Sequence, residues 1–250
     1  VRSLNPTAAI PDDVDVLMVP QLASLTQGEL DKVGEYVDAG KPALLTVDPF
    51  PTFDPGLAPR QPKPDPQGGG MGGMMGGGAP PPPKGDYKGL LTRIGVEWAD
   101  DKIVYDTENP HPSFANVPRQ VVFVRGPFEG NDPVVDGLEE VVVLFGGDLR
   151  KTASFGGQFK VLLQSSTRSG FNLFEDMVSE HPLFGLQMLP PPYKQSPITG
   201  ETHVLAARVT GGGGGAPPEG SEGAAPPKDR NVVVVADLEH EVAVAFDANY

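Results

Sequence analysis

Apolar runs alternate with polar, turn-forming stretches along the chain, and the first three patterned segments predict strand, helix and strand. Residues 14–19 form a short apolar run with several valines, which is typical of a strand buried on both faces. Across 27–39, apolar residues recur every three or four positions opposite charged ones, which predicts an amphipathic helix. A second apolar run follows at 43–47. Two such strands joined by one helix predict a parallel crossover at the centre of the fold.

Local signals predict where this helix begins and ends. Thr26 and Glu29 have the spacing of a capping box, in which each residue accepts a hydrogen bond from the backbone amide of the other. Gly40 stands where a helix commonly ends in a left-handed residue, a conformation that glycine adopts without strain.

Further apolar runs predict strands through the rest of the chain. They lie at 96–98, 103–105, 120–124, 141–145, 159–163, 203–209 and 231–236. A short helix is predicted after Asp86, with Gly95 at its end, and another over 171–178, whereas 242–246 fits either a helix or a strand. We interpret the whole chain, 1–250, as one α/β domain with a mainly parallel sheet flanked by helices.

Two long stretches are rich in glycine and proline, at 55–85 and 211–229. They bury too little apolar surface to offset the entropy lost on ordering, so we interpret both as flexible loop insertions within the one domain. Three methionines in the first stretch offer a soft metal or partner contact as an alternative to a mobile loop, and they are Met71, Met74 and Met75.

Removing the centre of the first insertion is expected to leave the protein's stability nearly unchanged. We predict that deletion of 66–83, closed by a short linker, keeps the melting temperature close to that of the full chain, because closing a flexible loop changes only a modest entropy. Thermal unfolding of the two forms measures this. A loss of several degrees would show that the glycine- and methionine-rich segment packs against the domain.

Composition excludes several kinds of site and partner. The formal net charge of −14 disfavours nucleic acid and direct docking on anionic lipid, since both need clustered Lys and Arg. The absence of cysteine rules out disulfides, thiolate zinc sites and a cysteine nucleophile. No apolar run is long enough to cross a bilayer. Because the sequence opens abruptly at what resembles the end of a strand, we expect it to be a fragment of a longer protein.

An ordered set of short motifs resembles the extracytoplasmic domain of GldG-type proteins. These proteins are auxiliary components of an uncharacterised ABC transport system and are best known from gliding motility. The motifs span nearly the whole chain and lie at 10–17, 25–40, 44–49, 89–96, 160–166, 204–207 and 232–237. Two departures are Gly40-Lys41, where the family has two glycines, and 236–240, where the family's terminal motif has a serine and a second aspartate.

The resemblance implies a fold, a setting and partners. It implies a glutamine amidotransferase-like or flavodoxin-like α/β fold from which the family's first strand and helix are missing. It implies a periplasmic domain of an inner-membrane protein, anchored through helices outside this fragment. ABC permease and ATPase subunits are the expected partners, with a small molecule or glycan as an expected ligand.

Catalytic chemistry finds little support in the residue pattern. No nucleophile elbow of the Gly-x-Ser-x-Gly kind is present, the four histidines are scattered, and nothing indicates a cofactor. The residues closest to a metal-binding cluster are Asp237, Glu239, His240 and Glu241. A strand would put His240 opposite the two glutamates, whereas a helix would bring Asp237 close to His240 or Glu241. We interpret this segment as a solvated acidic turn and predict no metal site. A non-catalytic binding domain is the preferred function; a hydrolase or sugar-active enzyme on a Rossmann-like fold stays open.

Polar residues that end apolar strands mark the predicted binding region. Open parallel sheets bind ligands beyond the carboxyl ends of their strands, although such residues also serve simply as turn formers. Because two of them are aspartates, we expect the crevice to prefer a cation, a polyol or a sugar to an anion. The predicted ligand-binding residues are Asp48, Pro49, Ser165, Ser166, Thr167 and Asp237.

Overall fold

The computed structural model describes residues 1–63, 83–109, 111–126, 128, 132–181, 185–213 and 228–239. Within these ranges the chain forms three α-helices, which are α1 (Gln27–Asp38), α2 (Tyr87–Ile94) and α3 (Phe174–Met177). The strands found there are β1 (Leu17–Val19), β2 (Ala43–Thr46), β3 (Val96–Trp98), β4 (Lys102–Asp106), β5 (Val121–Arg125), β6 (Glu140–Leu144), β7 (Leu149–Lys151), β8 (Gln158–Gln164), β9 (Ser169–Leu173), β10 (Val178–His181), β11 (Gly185–Met188), β12 (Val204–Gly211) and β13 (Arg230–Val235).

The largest sheet is mixed. Its strand order is β1-β2-β13-β12-β7-β3, and β8 also pairs with β12. The β1–β2 and β2–β13 pairs are parallel, whereas β12 runs antiparallel to β13, β8 and β7. Three further sheets are two-stranded and antiparallel, formed by β4–β9, β5–β6 and β10–β11.

The prediction of a mainly parallel, helix-flanked α/β fold of the amidotransferase or flavodoxin kind is therefore wrong. Strand residues outnumber helical residues, and most strand pairs are antiparallel. The predicted parallel pair on either side of α1 is present, since β1 lies beside β2 in parallel register. The error came from extending that direction to later apolar runs. The predicted apolar runs 159–163 and 203–209 belong to β8 and β12, which run antiparallel to each other.

The large sheet separates two hydrophobic cores. On one face, α1 and α2 pack apolar side chains such as Val37 and Ile94 against Leu45 and Val234 of the sheet. On the other face, the β5–β6 hairpin packs against β8, β12 and the alternate residues of β13, including Val235. Among the described elements, helices thus cover one face only, and a hairpin takes the place that a second helical layer would have in the predicted fold.

The predicted helix ends are confirmed. Thr26 N donates to Glu29 Oε2 at 2.7 Å within the capping box that begins α1, and Gly40 has φ +77° just beyond its end. Asp86 accepts from Gly89 N at 2.8 Å to cap α2, and Gly95 follows with φ +105°. These signals depend only on neighbouring residues, so tertiary packing did not override them.

Two local predictions need correction. The segment 171–178 was predicted as one helix, but β9 occupies its first part and α3 is a single short turn. The segment 14–19 is a strand only from Leu17. The ambiguous segment 242–246 lies outside the described residues.

The predicted insertions fall only partly within the described chain. Residues 64–82 and 214–227 lie outside it. At the borders of the first stretch, Ala58 is fully buried, Lys63 forms an ion pair with Glu29, and Lys84 Nζ donates to Ala58 O at 2.7 Å. These contacts attach the described borders of the insertion to the domain. Among the described helices, none has the length and apolar character needed to span a bilayer.

Candidate functional site: a buried carboxylate group and an open cleft

Two of the predicted site residues meet where β2 and β13 end. The two strands pair in parallel register as far as Val235 and Thr46, so the residues that follow them emerge at the same edge of the sheet. Asp48 and Asp237 are both fully buried there, and Leu238 N donates to Asp48 Oδ2 at 3.1 Å. The two strand-end loops are therefore joined by a hydrogen bond to one of the predicted side chains.

The loop that carries Asp48 is held by a buried glutamine. Gln21 Nε2 donates to Asp48 O at 2.9 Å, and Asp48 N donates to Gln21 Oε1 at 3.1 Å. Gln21 itself has a left-handed backbone, with φ +50°, and its backbone N–H donates to Thr46 Oγ1 at 2.9 Å. One side chain thus satisfies both backbone groups of Asp48 in a place that water does not reach.

Glu239 joins the two aspartates, and the interpretation of its segment as a solvated acidic turn is wrong. Glu239 is only 2% exposed, and its Oε1 accepts from Thr52 N, from Thr52 Oγ1 at 2.7 Å and from Phe53 N at 3.3 Å. One carboxylate oxygen from each of Asp48, Asp237 and Glu239 lies within 4.8 Å of the others. We call these three residues the carboxylate group. His240 and Glu241 lie outside the described residues.

Burial and mutual repulsion determine how the carboxylate group ionises. Burial, followed by interaction with Glu239, raises the pKa of Asp48 and of Asp237 well above the usual value for aspartate. Burial opposes the charge of Glu239 as well, but interactions with the two aspartates and hydrogen bonds from Thr52 outweigh it and lower the pKa of Glu239. Of the three carboxyl groups, Glu239 is therefore the one that most readily carries a negative charge.

Pro49 is buried beside this group, and its apolar side chain contributes only to packing. It precedes Phe50, whose amide donates to Asp48 Oδ1 at 2.7 Å and whose ring packs edge-on against Phe145 and Phe174. Asp48 and Pro49 are thus part of the packed interior, where a large external ligand cannot contact them.

The predicted serines lie at the same edge of the sheet but form a separate network. Ser166 N and Ser166 Oγ both donate to Asp106 at 2.7 Å, and Ser165 Oγ lies 2.7 Å from Ser169 Oγ. Within the part of the chain that the structure describes, no hydrogen bond connects these serines to the carboxylate group. Thr167, the next residue, is exposed.

An open cleft of about 870 Å³ lies beside this serine network. It is bounded by the β5–β6 hairpin on one side and β8 on the other. Residues that line it include Phe123, Val161, Ser165, Ser166 and Arg168. The structure therefore assigns the predicted site residues to two places, with Ser165 and Ser166 at an open cleft and Asp48 and Asp237 in a closed group.

A buried histidine and aspartate lie next to Ser165 without forming a catalytic relay. His203 Nδ1 is 3.5 Å from Asp148 Oδ2, and His203 N, not its ring, donates to Ser165 Oγ at 2.8 Å. Burial opposes the charge of Asp148, but His203 and Arg150 outweigh it and hold the pKa of Asp148 below its usual value. Proton transfer from a serine needs the imidazole to face the hydroxyl, and here the backbone amide takes that place.

The fold and these sites define a strand-rich domain that combines a buried acidic group with an open polar cleft. The family described as "ABC-type uncharacterized transport system" matches residues 1–240, and the chain belongs to this family, whose members are auxiliary components of ABC transport. The chain has no match among curated proteins. It is similar to the solved "mmIFT52 N-terminal domain" at 10% sequence identity and a TM-score of 0.41, over 95% of this chain and 77% of that one.

Sequence reasoning found Asp48, Asp237 and the serines but missed their partners. Gln21 and Asp106 carry no motif, and each is far in sequence from the residue that it holds. Glu239 was considered only as a member of the acidic segment 237–241, which was interpreted as a solvated turn. Its burial against Thr52 could have been anticipated from the parallel strand ends, because the loops after β2 and β13 must meet.

Proposed function

We propose that this chain is a non-catalytic binding domain of an ABC-transport auxiliary component, and that its cleft takes a substrate or partner of that system. The open cleft carries the proposal. Its volume of about 870 Å³ falls within the range of small-molecule sites, and it lies at the strand-end edge where the sequence predicted binding.

The cleft lining favours a polar, hydroxyl-rich ligand. Arg168 is exposed, and its guanidinium has no hydrogen bond or ion pair with any residue the structure describes; the exposed Glu108 adds a carboxylate at the rim. Phe123 supplies an aromatic surface beside them. An apolar wall with a few polar groups of both signs suits a sugar or polyol better than a strongly charged ligand.

The predicted binding residues divide accordingly. Ser166 and Thr167 stand at or beside the cleft and are partly or fully exposed, so they can contact a ligand. Ser165, whose hydroxyl is engaged with Ser169, shapes the cleft wall. Asp48, Pro49 and Asp237 are buried and act on the ligand only through the structure that they hold.

The family and the order of the motifs support the proposed setting of the domain. Membership in an ABC transport family supports the permease and ATPase subunits as partners. The ordered motifs between residues 10 and 237 support a GldG-type member whose domain lies on the periplasmic side of the inner membrane. A reporter enzyme that is active only outside the cytoplasm, inserted at the exposed Gly156 of the full gene product, tests this location; an inactive reporter in a stable fusion would contradict it.

Filling the cleft is expected to abolish ligand binding without unfolding the domain. Val161 lines the cleft on β8 and is 36% exposed, so Val161→Arg places a long charged side chain in the open volume at little cost to the core. We expect binding to at least one member of an oligosaccharide and polyol panel, measured by calorimetry, to weaken about tenfold or more.

The matched control is Val16→Arg, the same change at a valine that is 60% exposed and not part of the cleft lining. It is expected to bind like the unmodified chain. Equal binding by Val161→Arg and the unmodified chain, with both folded, would contradict the assignment of the cleft.

A further inference from the structure

The carboxylate group has no positive partner among the described residues. Asp48, Asp237 and Glu239 are each at most 2% exposed, yet none of the ion pairs formed within the described chain involves them. Buried carboxylates are normally paired, protonated or bound to a metal ion, because an isolated buried charge is costly. Three of them together require an explanation beyond turn formation.

One oxygen of this group has no hydrogen bond. Glu239 Oε1 accepts from Thr52 and Phe53, but Oε2 is buried and has no hydrogen-bond donor among the residues that the structure describes. The oxygens of both aspartates, in contrast, each accept one backbone amide. Each of these aspartate oxygens keeps a second lone pair, so the group offers unused acceptor capacity at one point.

We propose that Asp48, Asp237 and Glu239 bind a divalent cation, Ca²⁺, which Glu239 Oε2 and one oxygen of each aspartate coordinate. All the donors are carboxylate oxygens, which are the ligands that hard cations prefer. A bound cation would supply the positive partner that the group lacks and occupy the acceptor that no amide reaches.

The ligand set favours Ca²⁺ over Mg²⁺. Oxygens on opposite sides of Ca²⁺ are about 4.6–5.2 Å apart, whereas those around Mg²⁺ are at most about 4.2 Å apart. One oxygen from each of the three carboxylates lies within 4.8 Å of the others, so the group is compact enough for a single ion to contact all three. Ca²⁺ also tolerates irregular geometry, which suits ligands from two loops more than the near-ideal octahedron of Mg²⁺.

Such an ion would tie together the loops that follow β2 and β13. Asp48 belongs to the first loop, and Asp237 and Glu239 belong to the second, so one ion would cross-link two ends of the central sheet. The proposed calcium site is independent of the proposed function, because none of the residues that line the cleft belongs to the carboxylate group.

Calcium binding to the chain is the direct test. After treatment with EDTA and its removal, we expect one Ca²⁺ to bind per chain in calorimetry. At Ca²⁺ concentrations about 100-fold above the dissociation constant, we expect the melting temperature to rise by about 5–10 °C. Mg²⁺ at the same concentration is expected to give a clearly smaller rise.

The sharpest variant is Glu239→Gln. It keeps the oxygen that accepts from Thr52 and places an amide donor where Oε2 stands, so the neighbouring aspartates gain a partner in place of the cation. We expect the variant to fold, to melt without calcium no lower than the unmodified chain, and to lose the calcium-dependent rise. The control is Glu97→Gln, which removes the same charge from an exposed glutamate on β3 and is expected to keep the full rise.

Two results would overturn the proposal. One is the absence of saturable one-to-one Ca²⁺ binding to the unmodified chain, which would leave protons to neutralise the group. The other is an undiminished calcium effect in folded Glu239→Gln, which would assign the effect to the general acidity of the surface. A larger response to Mg²⁺ than to Ca²⁺ would overturn the choice of ion. Because the unmodified chain is tested by itself, a variant that fails to fold does not prevent a decision.

Discussion

Replacing Gln21 by alanine is expected to lower the free energy of unfolding by about 2–4 kcal/mol. The side-chain amide donates to Asp48 O and accepts from Asp48 N, and both residues are fully buried. Alanine would leave two backbone groups without partners in the interior, each costing about 1–3 kcal/mol, and would leave a cavity as well. The left-handed backbone conformation at this position, φ +50°, is as strained for alanine as for glutamine, so the substitution relieves no backbone strain.

Chemical denaturation of the two forms measures this difference. Gln187→Ala is the matched control, because Gln187 is exposed on β11, and it is expected to change the unfolding free energy by less than about 0.5 kcal/mol. We also expect Gln21→Ala to weaken calcium binding, since Gln21 fixes the loop that presents Asp48. A loss of stability no greater than that of the control would show that water or another group replaces the glutamine.

The positions of most strands could be predicted from the sequence, but β7, β10 and β11 were not predicted and most of β9 was predicted as helix. The directions of the strands after β2 could not be predicted. In β13, Val232 and Val234 face the helix-covered core while Val233 and Val235 face the hairpin side, so the strand is apolar on both faces. A strand at the centre of a sheet that is covered on both faces has this pattern. The pattern is the same whether the neighbouring strands are parallel or antiparallel, so it does not predict their direction. β13 has one of each, β2 and β12.

The arrangement of side chains in the candidate site could likewise be predicted only in part from the sequence. Proximity of Asp48 and Asp237 could be predicted because both follow parallel strands that pair directly. Separation of Ser165 from them could not, since β12 lies between β13 and β8 and its place in the order is a tertiary property. Burial of Glu239 against Thr52, which is 187 residues away in the sequence, can be inferred only once β2 and β13 are known to pair in parallel, because no local pattern reports the contact.

Gly146→Ala is expected to destabilise the domain by about 2–3 kcal/mol, although it adds a single methyl group. A β-carbon at Gly146 would lie 2.8 Å from Ala236 O and 2.5 Å from a methyl carbon of Val143, which is fully buried. Ala236 O cannot move away easily, because it accepts from Gly147 N at 2.8 Å. Overpacking of a rigid interior typically costs about 1–3 kcal/mol, and the backbone clash places this variant at the upper end.

The backbone contacts at Gly146 extend the effect to the carboxylate group. Asp237 follows Ala236 directly and accepts from Leu144 N at 2.9 Å, so a shift between residues 146 and 236 displaces this ligand. We therefore expect Gly146→Ala to lower the melting temperature by about 4–12 °C and to reduce the calcium-dependent rise as well. Gly156→Ala is the control, because a β-carbon there meets nothing within 4 Å. Equal melting temperatures for the two variants would show that the loop after β6 can move away from β13, and that this contact does not hold Asp237 in place.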